Sequence, residues 1–284
     1  MNTFNLPTDK IPEHLQEVVK SIQNILGDKA YDFLLIGATA RDLIMEGQYD
    51  IGIDRKTLDI DFAIYIPEWE AYDGIMSMLV ASGDFTATKL KHRVLYKGDI
   101  EVDIVPFGDI QDENGEYDWP PDFMNSMNVA GFVEINENGV IFQSDNNALT
   151  VKVAPIHGIC IMKIFAWEDR KYKDNKDGRD LGFIIANYVE LKQDIMYESH
   201  QDIIEADDFD IILSGARVLG RDMHDIISGN KIALDKIKQI VEKELEDEDN
   251  SLLARTMAIG QAFRYEKSYN ALVELLKGLN DRKK

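Results

Sequence analysis

One cysteine, Cys160, stands in a chain of 284 residues. A single thiol excludes an internal disulfide framework and a cysteine-based zinc cluster, and it is the usage expected in a reducing compartment. Long apolar runs are missing as well: no stretch approaches the ~18 uninterrupted apolar residues of a membrane span. The opening Met-Asn-Thr-Phe-Asn-Leu-Pro-Thr-Asp-Lys lacks the basic start and apolar run of an export signal. Membrane insertion and export are therefore not expected, and a cytoplasmic location is. The five histidines, at 14, 92, 157, 200 and 224, show no spacing of a metal cluster or a catalytic triad.

Positive charge is also scarce. Lys and Arg total 31 against 52 Asp and Glu, a net charge of -21. Phosphate neutralisation by Lys and Arg supplies most non-specific affinity for nucleic acid, so a general nucleic-acid coat is disfavoured. With 45% hydrophobic and 29% charged residues the chain has the composition of a folded protein. The acidic run at 244–249 reads as a solvated helix end and loop. Acidity on this scale makes capture of a cation easy wherever several carboxylates meet.

The length suggests two domains, at ~100–200 residues each. Apolar residues at Leu15, Val18, Val19, Ile22 and Ile25 predict a helix over 11–25. Phe33-Leu34-Leu35-Ile36 reads as a buried strand, followed by Gly37 and a helix over 38–45. Strands are predicted over 58–64, 93–96 and 100–105, the last two as a hairpin around Lys97-Gly98-Asp99. A helix is expected over 71–82. From 107 to 149 irregular β structure is expected, with β-like stretches at 131–135 and 139–142. After Pro155 the pattern is helical: 156–167, 180–189, 211–219, 231–245, and 251–279 with breaks. The expected architecture is α+β, a mixed sheet with helices over 1–150 and an α-helical domain over 151–284.

Asp59 and Asp61 alternate with Leu58, Ile60, Phe62 and Ile64, so a strand puts both carboxylates on one face and the apolar residues on the other. Adjacent carboxylates repel, and a cation, a proton or water must resolve that repulsion. Asp103 alternates in the same way with Val102 and Ile104 and joins the pair if the two strands are neighbours. Three converging carboxylates suit a hard cation such as Mg²⁺, and two such ions serve phosphoryl and nucleotidyl transfer. The alternative is an exposed acidic edge strand. Gly37, between strand and helix, allows close backbone approach and leaves N–H groups for phosphate oxygens.

The segments Leu35-Ile36-Gly37-Ala38-Thr39-Ala40-Arg41-Asp42 and Arg55-Lys56-Thr57-Leu58-Asp59-Ile60-Asp61-Phe62 resemble the DNA polymerase β-like nucleotidyltransferase superfamily. Within it the chain most resembles the AbiEii/AbiGii toxin-type nucleotidyltransferases. That resemblance covers roughly 34–222 and includes Lys163 in Ile161-Met162-Lys163-Ile164, the run Lys176-Asp177-Gly178-Arg179-Asp180-Leu181, and Ala216-Arg217-Val218-Leu219-Gly220-Arg221-Asp222. It implies a polymerase β-like fold and a Gly37-Ala38-Thr39 turn that meets nucleotide phosphates. The second turn position, a serine or glycine in the family, is Ala38 here, and Thr39 offers the nearest hydroxyl.

The resemblance further implies an NTP substrate, two Mg²⁺ ions on Asp59, Asp61 and Asp103, and a phosphate contact from Lys163. Asp177 and Asp180 stand open between acting as base, orienting Lys163 and contacting the nucleotide; the alternative is a helix-start acid pair favoured by the macrodipole, which weighs most for Asp177. Arg55 and Lys56 balance the acidic pair or touch triphosphate. Arg41 and Asp42 read as helix-surface contacts, His92 and Arg93 as an exposed turn with a phosphate contact near the acidic site as the alternative, and Trp167, Phe183 and Tyr188 as core.

The implied reaction moves an NMP to a hydroxyl and releases pyrophosphate. The acceptor stays open between tRNA, a protein and a small molecule, and a separately encoded antitoxin is an implied partner. Modification of a small molecule of the antibiotic type, a CCA-adding activity suggested by Gly-Ala-Thr-Ala-Arg-Asp, and a catalytically silent nucleotide- or partner-binding module are the competing functions. The acidic balance and the missing Arg-Arg-Asp motif count against the CCA-adding reading.

Overall fold

A computed structural model describes residues 2–53, 57–205 and 209–281. The chain divides into two compact units, Met1–Ile159 and Cys160–Lys284, so the boundary expected at 150/151 falls inside a helix at 159/160.

Unit 1 carries strands β1 (Thr3–Leu6), β2 (Phe33–Ile36), β3 (Ile60–Ile66), β4 (Phe85–Ala87), β5 (Arg93–Tyr96), β6 (Ile100–Gly108), β7 (Glu116–Asp118), β8 (Ser126–Asn128), β9 (Val140–Ser144) and β10 (Thr150–Val153). Eight of them form one mixed sheet in the order β1-β9-β10-β2-β3-β6-β5-β4, while β7 and β8 pair separately. All four residues of β2 are buried, which is why its sequence reads as a continuous apolar run rather than an alternation. β2 runs antiparallel to β3, and β3 parallel to β6. The hairpin of β5 and β6 pairs Arg93 with Asp103 and Tyr96 with Ile100.

Helices α1 (Glu13–Leu26), α2 (Gly37–Asp42), α3 (Trp69–Ala81) and α4 (Phe132–Glu137) complete the unit. Helix α1 begins after Pro12 and ends at Gly27, whose φ of 57° suits a residue without Cβ. Its Leu15, Val18, Val19 and Ile22 are buried, as the helical spacing predicts. Helix α2 continues into a π-helical turn, Leu43–Gln48. The stretch 131–135, expected to be β-like, is the start of α4, entered through left-handed Gly131. A run of five apolar-rich residues carries too little periodicity to separate a strand from a short helix.

Unit 2 consists of α5 (Ile156–Arg170, which starts in unit 1), α6 (Lys176–Leu191), α7 (Gln193–Ser199), α8 (Gln201–Ile204), α9 (Ile211–Ile227), α10 (Lys231–Glu244), α11 (Leu252–Met257) and α12 (Tyr265–Asn280). Helix α9 packs against α6 and α12. Glycines let α9 and α12 approach closely: a Cβ on Gly278 would stand 2.9 Å from the Cα of Gly220. Trp167 and Tyr188 are buried core residues, and the Tyr188 hydroxyl donates to Asp222 at 2.6 Å. Glu244, at the start of the acidic run, accepts from the Leu253 N–H at 2.9 Å and so helps cap α11. Among the described residues no helix is long and apolar enough to cross a membrane.

The apolar face of β3 differs at one position from its sequence reading. Ile60, Phe62 and Ile64 are buried, but Leu58 is 67% exposed, because β3 starts at Ile60 and alternation holds only inside a strand. Phe62→Ala is therefore expected to destabilise the chain by about 3–5 kcal/mol, and Leu58→Ala by less than ~0.5 kcal/mol. Urea unfolding of the two variants checks the assignment.

Candidate active site

The register of three strands assembles the acidic site. Ile36 pairs with Asp61 across β2 and β3, and Asp61 pairs with Asp103 across β3 and β6. Gly37 directly follows Ile36 and has φ 71°. A Cβ built there would lie 2.8 Å from Asp61 Cγ, so the carboxylate rests against the glycine backbone in space no side chain can share. Two independent demands thus select glycine, the left-handed backbone and the close approach.

Asp59 precedes β3 and is exposed. Its backbone is held from both sides: its N–H donates to the Thr57 hydroxyl at 3.2 Å, and its carbonyl accepts from the Thr39 hydroxyl at 2.7 Å. Thr39 is buried. Its hydroxyl therefore ties the glycine turn to the acidic segment, which is a different task from the phosphate contact considered for it. Ala38 is half-buried and brings no polar atom from its side chain. Arg55 and Lys56 lie outside the described residues.

Among the described residues, Arg93 is the cation that pairs with Asp103, a partnership the exposed-turn expectation does not contain. Its Nε and Nη2 donate to the two oxygens of Asp103 at 2.6 and 2.8 Å, and its Nη1 bonds Glu101. This forked pairing is the strong geometry for arginine and carboxylate. The Asp103 hydrogen bond, with the further charges of Glu101 and Asp59, holds the guanidinium pKa above its ordinary value. The signal was present in the sequence: a hairpin centred on Gly98 places residue 93 opposite residue 103.

His92 Nε2 stands 4.0 Å from Asp103 Oδ2, and the His92 ring packs on Trp119 with centroids 5.7 Å apart. Burial pushes the His92 pKa down, and Arg93 adds to this while Asp103 opposes it. His92 is thus a half-buried neighbour of the site rather than the exposed turn residue expected. The Tyr72 hydroxyl donates to the Ile104 carbonyl at 2.9 Å. Arg41, expected on the helix surface, is buried and pairs with Asp42 at 2.5 Å.

Asp61 and Asp103 are brought side by side, but among the described residues no three His, Cys, Asp or Glu side chains are grouped to hold a metal ion. Asp59 and Asp61 offer the hard oxygen donors that Mg²⁺ prefers. Asp103 joins them only by yielding part of its bond to Arg93.

In unit 2, Lys163 is buried on α5 and meets Asp180 at 2.7 Å and Asp177 at 3.1 Å. Asp177 is the more enclosed, 1% exposed, and takes a forked pair from Arg170 with Nε at 2.6 Å and Nη2 at 3.0 Å. Burial opposes the charge of Lys163, but Asp180 and Asp177 outweigh it and hold the ammonium pKa above the ordinary 10.5. Burial likewise opposes the charge of Asp177, and Arg170 and Lys163 bring its pKa below the ordinary 3.8. Arg170 was missed in the sequence, although it follows Lys163 by seven residues, two helical turns along one face.

Two expectations follow. Gly37→Ala is expected to destabilise the chain by about 1–3 kcal/mol through strained backbone and the clash with Asp61. Part of that loss should return in the double variant Gly37→Ala/Asp61→Ala, as a coupling of at least ~0.5 kcal/mol in a double-mutant cycle. In unit 2, Asp177→Ala leaves Lys163 and Arg170 short of a buried partner and is expected to cost about 3–5 kcal/mol.

The pH dependence has a definite sign. The lowered pKa of Asp177 adds stability that is complete above pH 3.8 and lost as pH falls through the folded value. The raised pKa of Lys163 adds stability that is complete below pH 10.5 and lost as pH rises through the folded value. Urea midpoints across pH should be level around neutrality for both groups, and Asp177→Asn should flatten the acid limb and, by removing one of the two carboxylates that raise the Lys163 pKa, bring the alkaline loss to lower pH.

No family model matches the chain, and no curated protein and no solved structure gives a match.

Proposed function

We propose that unit 1 carries a nucleotidyl-transfer site, in which an acceptor hydroxyl attacks the α-phosphorus of an NTP. The acceptor oxygen forms a bond to phosphorus, the bond from phosphorus to the β-bridging oxygen breaks, pyrophosphate leaves, and the hydroxyl proton passes to a base. The observation that carries this reading is the register of Asp61 beside Asp103, next to a left-handed glycine turn that Asp61 itself makes obligatory. An exposed acidic edge strand would need none of this arrangement.

Asp59 and Asp61 would hold Mg²⁺, which supplies neutralisation of phosphate charge and a lowered acceptor pKa. Asp103, oriented by the Arg93 fork, is the group placed to accept the hydroxyl proton. The proposal rests on unit 1 residues. In unit 2, two acids and two bases, Asp177, Asp180, Lys163 and Arg170, form a compensated cluster around the buried Lys163 and Asp177, and the phosphate contact implied for Lys163 would have to compete with both carboxylates. The resemblance to toxin-type nucleotidyltransferases and polymerase β-like folds agrees with this chemistry, with tRNA, a protein or a small molecule as acceptor and an antitoxin as partner.

A second reading has specific support. Asp103 is engaged by Arg93, Ala38 has no hydroxyl, and Thr39 spends its hydroxyl on the Asp59 carbonyl. A module that binds nucleotide without transferring it would be built in this way.

Incubating the chain with each labelled NTP, Mg²⁺ and total tRNA, with pyrophosphate release measured in parallel, separates the two readings. Transfer is expected to fall by about 10²-fold or more in Asp59→Ala/Asp61→Ala, the scale on which losing an electrostatic contact to the transition state acts. Absence of both label transfer and pyrophosphate release in the wild type would sink the transfer reading for these substrates. Label on tRNA from the wild type alone would exclude the silent module.

A further inference from the structure

Charge is unevenly distributed around the acidic site. Residues 85–98 contain Lys89, Lys91, Arg93 and Lys97 and no Asp or Glu. Residues 98–151 contain twelve Asp and Glu and no Lys, Arg or His. In a chain of net charge -21 the cationic stretch therefore runs directly into the strand that bears Asp103.

Two of its four cations are committed. Arg93 is held by Asp103 and Glu101, and Lys97 pairs with Glu17 at 2.7 Å. Lys89 and Lys91, in the connection between β4 and β5, are exposed and have no carboxylate partner among the described residues. The connection does not need them to keep its shape. The Thr88 hydroxyl accepts from the Leu90 N–H at 3.0 Å and donates to the Arg93 carbonyl at 3.0 Å. The Arg93 N–H closes the turn on the Leu90 carbonyl at 3.1 Å. Tyr72 fastens the turn to the site strand, because its hydroxyl reaches the Lys91 carbonyl at 3.3 Å and the Ile104 carbonyl at 2.9 Å. The Ile104 N–H donates to the His92 carbonyl at 2.7 Å. An ordered turn thus carries two unspent ammonium groups on the backbone that adjoins Asp103.

The geometry points to this turn as a polyphosphate subsite, with Lys89 and Lys91 receiving the β- and γ-phosphate oxygens of the nucleotide and then the departing pyrophosphate. The inference rests on the transfer reading for its ligand, though not for its test. A polyanion approaching Asp59, Asp61 and Asp103 meets repulsion, and Arg93 has no charge to spare for it. Compact ammonium groups on flexible stems suit a phosphate chain whose position shifts as the bond breaks.

Inorganic tripolyphosphate binding to the full chain, measured by calorimetry without turnover, tests the assignment. Lys89→Gln/Lys91→Gln is expected to weaken binding by about tenfold or more. Lys20→Gln/Lys29→Gln, the same change of net charge at two exposed sites elsewhere, should leave it within about twofold of wild type. Equal affinity in the two double variants, or no binding by the wild type, would overturn the subsite. Retained tripolyphosphate binding with weakened binding of a short oligonucleotide lacking a terminal triphosphate would also overturn it, and would assign the turn to an acceptor's phosphodiesters. The pyrophosphate-release assay stands apart: release by the wild type with lysine-independent tripolyphosphate binding removes the subsite and keeps transfer. Lysine-dependent binding without release does the opposite.

Discussion

The repulsion between Asp61 and Asp103 is the constraint around which unit 1 is organised. Paired residues on neighbouring strands sit roughly 5 Å apart, and like charges directly opposite destabilise a sheet. The neighbouring elements answer that repulsion. The hairpin of β5 and β6 sets Arg93 against Asp103, and its fork occupies both oxygens. Gly37 gives Asp61 room on its other side, and Thr39 holds the segment that presents Asp59. A sheet selected for stability alone would place apolar or opposite-charge pairs in these positions, so keeping the acids implies a use for them.

Much of this was legible because the relevant signals are local. Alternation around Asp61 and Asp103 gave each strand its two faces, the Lys97-Gly98-Asp99 turn gave the hairpin, and helical spacing gave α1 and the helices of unit 2. Errors arose where local signals are degenerate or where a partner is remote. Leu58 continued an alternation past the true start of β3, and 131–135 offered a strand-like composition to a segment whose packing made it a helix. The burial of Arg41 could not be read from a short helix alone. The partners of Asp103 and Lys163 were within reach, since register sets Arg93 opposite Asp103 and helical repeat sets Arg170 over Lys163. Neither partner shows in an acid taken singly, because buried or half-buried charge is explained only by its counter-charges.

Units 1 and 2 handle charge in opposite ways. Lys163, Arg170, Asp177 and Asp180 balance one another, with Asp177 almost wholly enclosed. Replacing such a cluster with apolar residues is often neutral or stabilising, whereas removing one member is strongly destabilising. Its worth therefore lies in fixing how α5 meets α6. In unit 1 the Arg93 fork instead takes both oxygens of one acid, Asp103, from the neighbouring strand.

The net charge of -21 takes on a different meaning once it is resolved by position. A uniformly acidic protein repels every polyanion equally, and screening at physiological ionic strength confines that repulsion to about 8 Å. Within such a distance of a site, the local sign of charge matters more than the total. The turn carrying Lys89 and Lys91 reverses the sign next to Asp103, while the acids that follow it along the chain do not. If that turn is the subsite proposed above, an anionic ligand would be disfavoured over most of the acidic surface and favoured at the turn, and the charge distribution would orient the approach of a compact polyphosphate.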